Sequence, residues 1–130
     1  MIVAIHQPNY APWLGYFHKI AQSDAFVFLD DAQYSRGSYT NRVRIGRAGS
    51  AVWLTQPIKR EFGGAISETK FSDDDWPGKH LDALKGAYRG ASAFSEAWPV
   101  VQTIWQQVPR ESLAAANGYI VEALAASMGL

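Results

Sequence analysis

Residues 1–31, MIVAIHQPNYAPWLGYFHKIAQSDAFVFLDD, decide the fold. Ile2 to Ile5 is an apolar, β-branched run stopped by His6-Gln7-Pro8-Asn9, which reads as a strand buried on both faces. The period then changes. From Pro12, suited to a first helical position, Trp13, Phe17, Ile20 and Ala21 recur at helical spacing and predict about three turns. Ala25 to Leu29 is a second continuous apolar run, stopped by Asp30-Asp31. Two buried strands joined by a helix make a βαβ unit, in which the strands are parallel and the crossover right-handed.

Downstream, Asn41 to Ile45 alternates polar and apolar, Arg47-Ala48-Gly49-Ser50 supplies turn chemistry, and Ala51 to Thr55 resumes β composition, so a hairpin is expected. Ile66 to Phe71 reads as one more short strand. Asp73-Asp74-Asp75 before Trp76-Pro77 marks a helix start, with Leu81, Leu84 and Tyr88 facing the core and Gly90 ending it. A helix from Pro99 to Gln107 turns Val101, Ile104, Trp105 and Val108 inward. A last one is capped by Ser112, carries Leu113, Ile120, Leu124 and Met128 as its stripe, and stops at Gly129. The fold class is therefore α/β: an N-terminal βαβ with parallel strands, a following β-hairpin and C-terminal helices, in a Rossmann-like three-layer sandwich. At 130 residues, 1–130 is expected to be a single domain.

Composition narrows function. With 48% hydrophobic and 18% charged residues the chain can close a core. Twelve basic against twelve acidic residues argue against a protein that coats nucleic acid by bulk charge. The absence of cysteine excludes disulfides, thiolate nucleophiles and iron–sulfur clusters, and suits a reducing, cytoplasmic setting. No apolar run approaches the roughly 20 residues that span a bilayer, and no secretory signal opens the chain.

In open α/β sheets ligands bind beyond the carboxyl ends of parallel strands. Here the first strand runs into His6-Gln7-Pro8-Asn9-Tyr10 and its neighbour into Asp30-Asp31, so an imidazole, amides and carboxylates should share one edge. Such groups transfer protons or orient a hydroxyl. Taken singly, each is as well explained by a solvated turn. The second signal is charge. Residues 32–60 carry Arg36, Arg42, Arg44, Arg47, Lys59 and Arg60 and no acid, so a neutral total hides a polarised chain. Arg42 and Arg44, two apart on a strand, project to one face, where forked donors suit phosphate or carboxylate. Charged guards on an exposed hairpin would look the same. Tyr34, Tyr39 and Trp53 are interleaved and can stack on a base or sugar ring, although strand aromatics are more often core. His18 and His80 read as solvated or structural helix residues. No metal set or nucleotide-loop motif is present, and no cofactor is indicated.

The segment His6 to Phe17 (HQPNYAPWLGYF) resembles the opening signature of the WbqC-like family. Asp24 to Tyr34, Ser38 to Ile45, Trp53-Leu54-Thr55 with Pro57, Lys79-His80-Leu81 and Ser112 to Asn117 extend the likeness along the chain. The resemblance implies bacterial proteins associated with surface polysaccharide and O-antigen clusters, and relatives that continue past the position of Leu130. Strand, loop and Trp13-Leu14-Gly15-Tyr16 opening a helix is also similar in layout to the HxGH turn of adenylyl and cytidylyl transferases. Trp13 and Tyr16 stand where the two histidines would be, and only the glycine agrees.

The expected function is an enzyme of surface-glycan biosynthesis, a transferase acting on a nucleotide-activated or other anionic sugar. His6 and Asp30 are its candidate catalytic groups. Gln7, Asn9, Tyr10, Gly15, Tyr16, Asp31, Asn41, Arg42 and Arg44 are its candidate substrate-binding groups. The alternatives are a non-catalytic nucleotide or sugar binding module, and nucleotidyl transfer. The expected partner is a small anionic ligand, with no nucleic acid and no membrane insertion. A second copy or a C-terminal segment is expected to cover whatever the sheet leaves open.

Overall fold

The computed structural model describes residues 1–46, 50–59 and 64–130. Strand β1 (Val3–His6) is followed by helix α1 (Leu14–Ala21) and strand β2 (Ala25–Phe28), and the two strands pair in parallel with Ala4 opposite Phe26 and His6 opposite Phe28. Asp24 ties the start of the pair, its carboxylate accepting from Ile2 N at 2.6 Å while its own amide donates to Ile2 O at 2.8 Å. Strands β3 (Arg42–Ile45) and β4 (Val52–Thr55) form a separate antiparallel hairpin, with Arg44 opposite Trp53 and Arg42 opposite Thr55. The expected turn at 47–49 lies outside the described residues, as do Arg47 and Arg60. Helices α2 (Trp76–Tyr88), α3 (Phe94–Gln106) and α4 (Leu113–Ser127) complete an α/β fold. No described helix is long and apolar enough to cross a membrane.

Alternation in β1 and β2 sorts their side chains by face. Ala4, His6, Phe26 and Phe28 turn inward, where α1 supplies Tyr16 and Phe17 and α4 supplies Val121 and Ala125. The opposite face carries Val3, Ile5 and Val27 about half exposed, so the expectation of burial on both faces fails there: among the described residues, no helix covers it. The larger core joins the hairpin's inner residues Ile45 and Leu54 to Tyr10, Ile66, Trp76, Trp105, Leu113 and Ile120.

Four local expectations are corrected. Helix α1 starts at Leu14, two residues later than Pro12, because Ala11 has φ +40° and Trp13 is extended, and Trp13 is 73% exposed instead of inward. The stretch from Ile66 is no strand. It makes a 3₁₀ turn, Ile66–Glu68, because its amides answer different carbonyls, Ile66 N to Ala32 O and Ser67 N to Asp30 O. Helix α3 begins at Phe94, ahead of Pro99, which stands inside the helix as its sixth residue at the cost of one intrahelical amide bond. Tyr88 and Met128, expected inside, are exposed. The cap at Ser112 holds, its hydroxyl accepting from Ala115 N at 3.0 Å, and Gly129 takes the φ of +79° that ends α4.

Candidate functional site

The loop after β1 is built on one buried side chain. Asn117, fully buried on α4, donates from Nδ2 to Pro8 O (2.9 Å) and Thr40 O (2.6 Å) and accepts at Oδ1 from Gln56 Nε2 (3.0 Å). Three chain segments, the β1 loop, the approach to β3 and the exit of β4, thus meet on a single amide. Tyr10 N donates to Tyr39 O at 3.1 Å and reinforces the first junction. Gln56 N donates to Asn41 O (2.8 Å), Asn41 Nδ2 returns a bond to Gln56 O (3.1 Å), and Tyr34 Oη donates to Asn41 Oδ1 (2.8 Å). Sequence reading missed Asn117 and Gln56 as determinants of this place. A helical asparagine after three alanines gives no signal of its own, because its bonds run to residues 61 to 109 positions away.

His6 sits at the end of β1 with its Nδ1 3.0 Å from Gln7 O. A carbonyl only accepts, so Nδ1 carries the hydrogen and Nε2 is left as the basic nitrogen. Tyr16 meets the His6 ring edge-on at 4.8 Å and donates to the same Gln7 carbonyl at 2.8 Å. Burial raises the Tyr16 pKa, so its hydroxyl stays a donor. Gln7 and Asn9 are half-exposed. Asp30 and Asp31 follow β2 on the same edge and are exposed, with Asp30 O accepting from Ser67 N.

Three expected ligand contacts, Tyr10, Tyr16 and Asn41, are buried, and a fourth, Gly15, is half-buried. Tyr10 is fully buried and its hydroxyl lies in a closed chain: Trp105 Nε1 donates to Tyr10 Oη (2.9 Å), and Tyr10 Oη donates to His80 Nδ1 (2.7 Å). His80 Nε2, 3.0 Å from Thr55 O, must carry the ring hydrogen. His80 is accordingly buried, where a semi-exposed helix position was expected, and desolvation lowers its pKa to about 4. Asn41 and Tyr16 are buried as well. Gly15 lies under the ring of Trp13, against which any Cβ would collide, so the start of α1 is roofed by an indole.

The hairpin's outer face is different. Arg44 and Trp53 are opposite each other, the Arg42 guanidinium carbon is 4.1 Å and that of Arg44 5.7 Å from the Trp53 ring centroid, and Tyr39 lies 5.7 Å from the same ring. Tyr39 and Trp53 are 55% and 44% exposed, so these aromatics are not core. Arg42 is partly committed, donating from Nη2 to Gly37 O at 2.6 Å. Among the described residues one ion pair forms, Lys79 with Asp73 at 2.6 Å, so Arg36, Arg42, Arg44 and Lys59 have no carboxylate partner. Two open concavities lie elsewhere, one between the hairpin end and α2, the other near Ala25 and Leu130. The described residues contain no cluster of three metal-ligating side chains.

The family model for WbqC-like proteins matches residues 7–130, which include the asparagine junction, the cationic hairpin and the His80 chain. The chain belongs to the WbqC-like protein family. It is 35% identical over 130 residues to the uncharacterized protein Rv1507c of Mycobacterium tuberculosis, a match that takes in 98% of this chain and 56% of that relative's length. No solved structure matches the chain significantly.

Proposed function

We propose that this WbqC-like chain binds a nucleotide-activated or other anionic sugar in bacterial surface-glycan biosynthesis and takes part in its transfer. One observation carries the reading: an exposed aromatic pair, Tyr39 and Trp53, shares its surface with Arg42 and Arg44, and among the described residues no carboxylate pairs with them. A ring stacked beside guanidinium forks is the chemistry that suits a sugar or base bearing phosphate. In support, the Asn117 amide ties Pro8 of the β1 loop to Thr40 at the approach to this hairpin. In this reading His6 Nε2 accepts a proton from a sugar hydroxyl, Asp30 orients the acceptor, Gln7 and Asn9 hold hydroxyls, Asp31 lies at the rim, and Arg44 with Arg42 holds the phosphates. Tyr10, Tyr16, Gly15 and Asn41 position the loops without touching ligand.

A non-catalytic binding module is the second reading, and the exposure of Asp30 favours it, since His6 has the Gln7 carbonyl and no carboxylate as its hydrogen-bond partner. Against nucleotidyl transfer stands the ring of Trp13, which lies on Gly15 at the start of α1. The Arg42→Ala, Arg44→Ala double variant is expected to lose about 10- to 100-fold in affinity for a nucleotide sugar, as two charge-assisted contacts would imply. Unchanged affinity in titration calorimetry would make the hairpin ordinary solvated surface. Product detection by mass spectrometry with the wild-type chain then separates transfer from binding.

A further inference from the structure

The start of α1 holds a tryptophan out in solvent. Trp13 is 73% exposed, although tryptophan is highly buried on average. It is held in place there. Its carbonyl accepts from Tyr16 N at 3.0 Å, and a Cβ at Gly15 would run into Cε3, Cζ3 and Cη2 of the indole, so the six-membered edge of the ring rests on a glycine backbone. Glycine is a poor helix former, and Gly15 is the second residue of α1. What the glycine makes room for is an exposed ring, with no burial in return. The nearby groups are polar. One turn along the helix from Trp13, Tyr16 meets the His6 ring edge-on at 4.8 Å and donates to the Gln7 carbonyl that also takes His6 Nδ1. His6, Gln7 and Asn9 are half-exposed.

We propose that Trp13 is the stacking platform for an uncharged pyranose ring presented to His6, an inference that rests on the sugar-binding reading above and assigns the acceptor side of that site. The negative face of an indole attracts the C–H side of a pyranose, which leaves the ring hydroxyls for His6, Gln7 and Asn9. A purely apolar partner on Trp13 would strip water from those groups and return no hydrogen bonds. The guanidinium forks of the hairpin suit phosphate instead, so the two surfaces take different parts of the reacting pair.

The test is a titration of the isotope-labelled chain with methyl glycosides of the common hexoses, which carry no charge, the Trp13 indole signal being assigned from the Trp13→Phe spectrum. The Trp13 indole and the amides of Gln7 and Asn9 are expected to move and saturate together, with Arg42, Arg44 and Trp53 unmoved, and inorganic pyrophosphate is expected to leave Trp13 in place. In Gly15→Ala the exposed ring must swing aside. Alanine is the better helix former, so the melting temperature should not fall, yet glycoside affinity should drop about 3- to 10-fold, as in Trp13→Ala. Shifts that spare Trp13, no shift with any glycoside, or a Gly15→Ala chain that binds as tightly as wild type would overturn the proposal. So would indole shifts that follow protein concentration, which would give the surface of Trp13 and Leu14 to a second copy. Pyrophosphate that moves the hairpin while glycosides leave Trp13 unmoved would end this inference alone and keep the anion reading, and the reverse pattern would end the anion reading and keep Trp13.

Discussion

Asn117→Ala is expected to lower the free energy of unfolding by about 3–5 kcal/mol, the largest single effect at any polar position, because it strands three buried partners at once. Pro8 O, Thr40 O and Gln56 Nε2 each bond to this side chain. Asn117 and Gln56 are fully buried, and Gln56 Oε1 has no hydrogen-bond partner among the described residues. Asn117→Asp separates hydrogen bonding from packing. The carboxylate is isosteric and keeps the bond from Gln56 Nε2, but the oxygen that replaces Nδ2 would face both the Pro8 and Thr40 carbonyl oxygens, so the cost should match that of alanine. Thermal unfolding is the readout, with a fall of roughly 10–20 °C. A loss under about 1 kcal/mol in both variants would mean that the β1 loop and the hairpin are joined by something other than this amide.

The second large effect concerns the Trp105–Tyr10–His80–Thr55 chain. Tyr10→Phe removes an acceptor for Trp105 and a donor for His80 inside the core, and is expected to cost about 2–4 kcal/mol. The same chain sets a pH dependence. His80 is buried neutral, with its pKa lowered by desolvation to about 4 against an ordinary value of 6.5. Between those values the unfolded chain binds the proton more readily than the folded one, so stability rises with pH in that window. The contribution is complete above about pH 6.5 and is lost progressively as pH falls toward 4, by about 2–3 kcal/mol. Urea unfolding at pH 7 and pH 4.5 measures it, and His80→Gln should flatten that component whatever its own mean stability. A wild-type midpoint that does not move between the two pH values would show that His80 is free to protonate in place.

The parallel pair was legible because its two strands are short continuous apolar runs flanking a helical period, and the hairpin because Arg42 to Ile45 alternates. What a run of apolar residues does not encode is whether both faces are covered. Val3 and Ile5 are as hydrophobic as Ala4, yet only the row facing α1 and α4 is buried. The motif HQPNYAPWLGYF drew attention to Tyr10 and Tyr16 as ligand contacts, whereas their hydroxyls brace the loop from inside. Residue type announces a polar group but not the direction in which it points. Ala11 is held at φ +40°, and on either side of it Tyr10 lies in the core while Trp13 is out in solvent. For His80 the sequence leaves solvated and structural roles open, since the partners that make it structural come from residues 10 and 55 and nothing local to α2 announces them. Conversely, Arg42 and Arg44 were placed on one face correctly from period two alone, and the cross-strand partner, Trp53, follows from register.

The proposed ligand surface is that of Tyr39, Arg42, Arg44 and Trp53, with the His6–Asn9 loop proposed to hold the sugar. Amide and indole chemical shifts of the isotope-labelled chain, followed during titration with a uridine diphosphate sugar and separately with inorganic pyrophosphate, test it most directly. The account predicts that pyrophosphate moves Arg42, Arg44 and the Trp53 indole, and that the nucleotide sugar moves these together with Tyr39 and His6 to Asn9. Shifts confined to other parts of the chain, such as Asp73 to Lys79, or no shift at millimolar ligand, would contradict it.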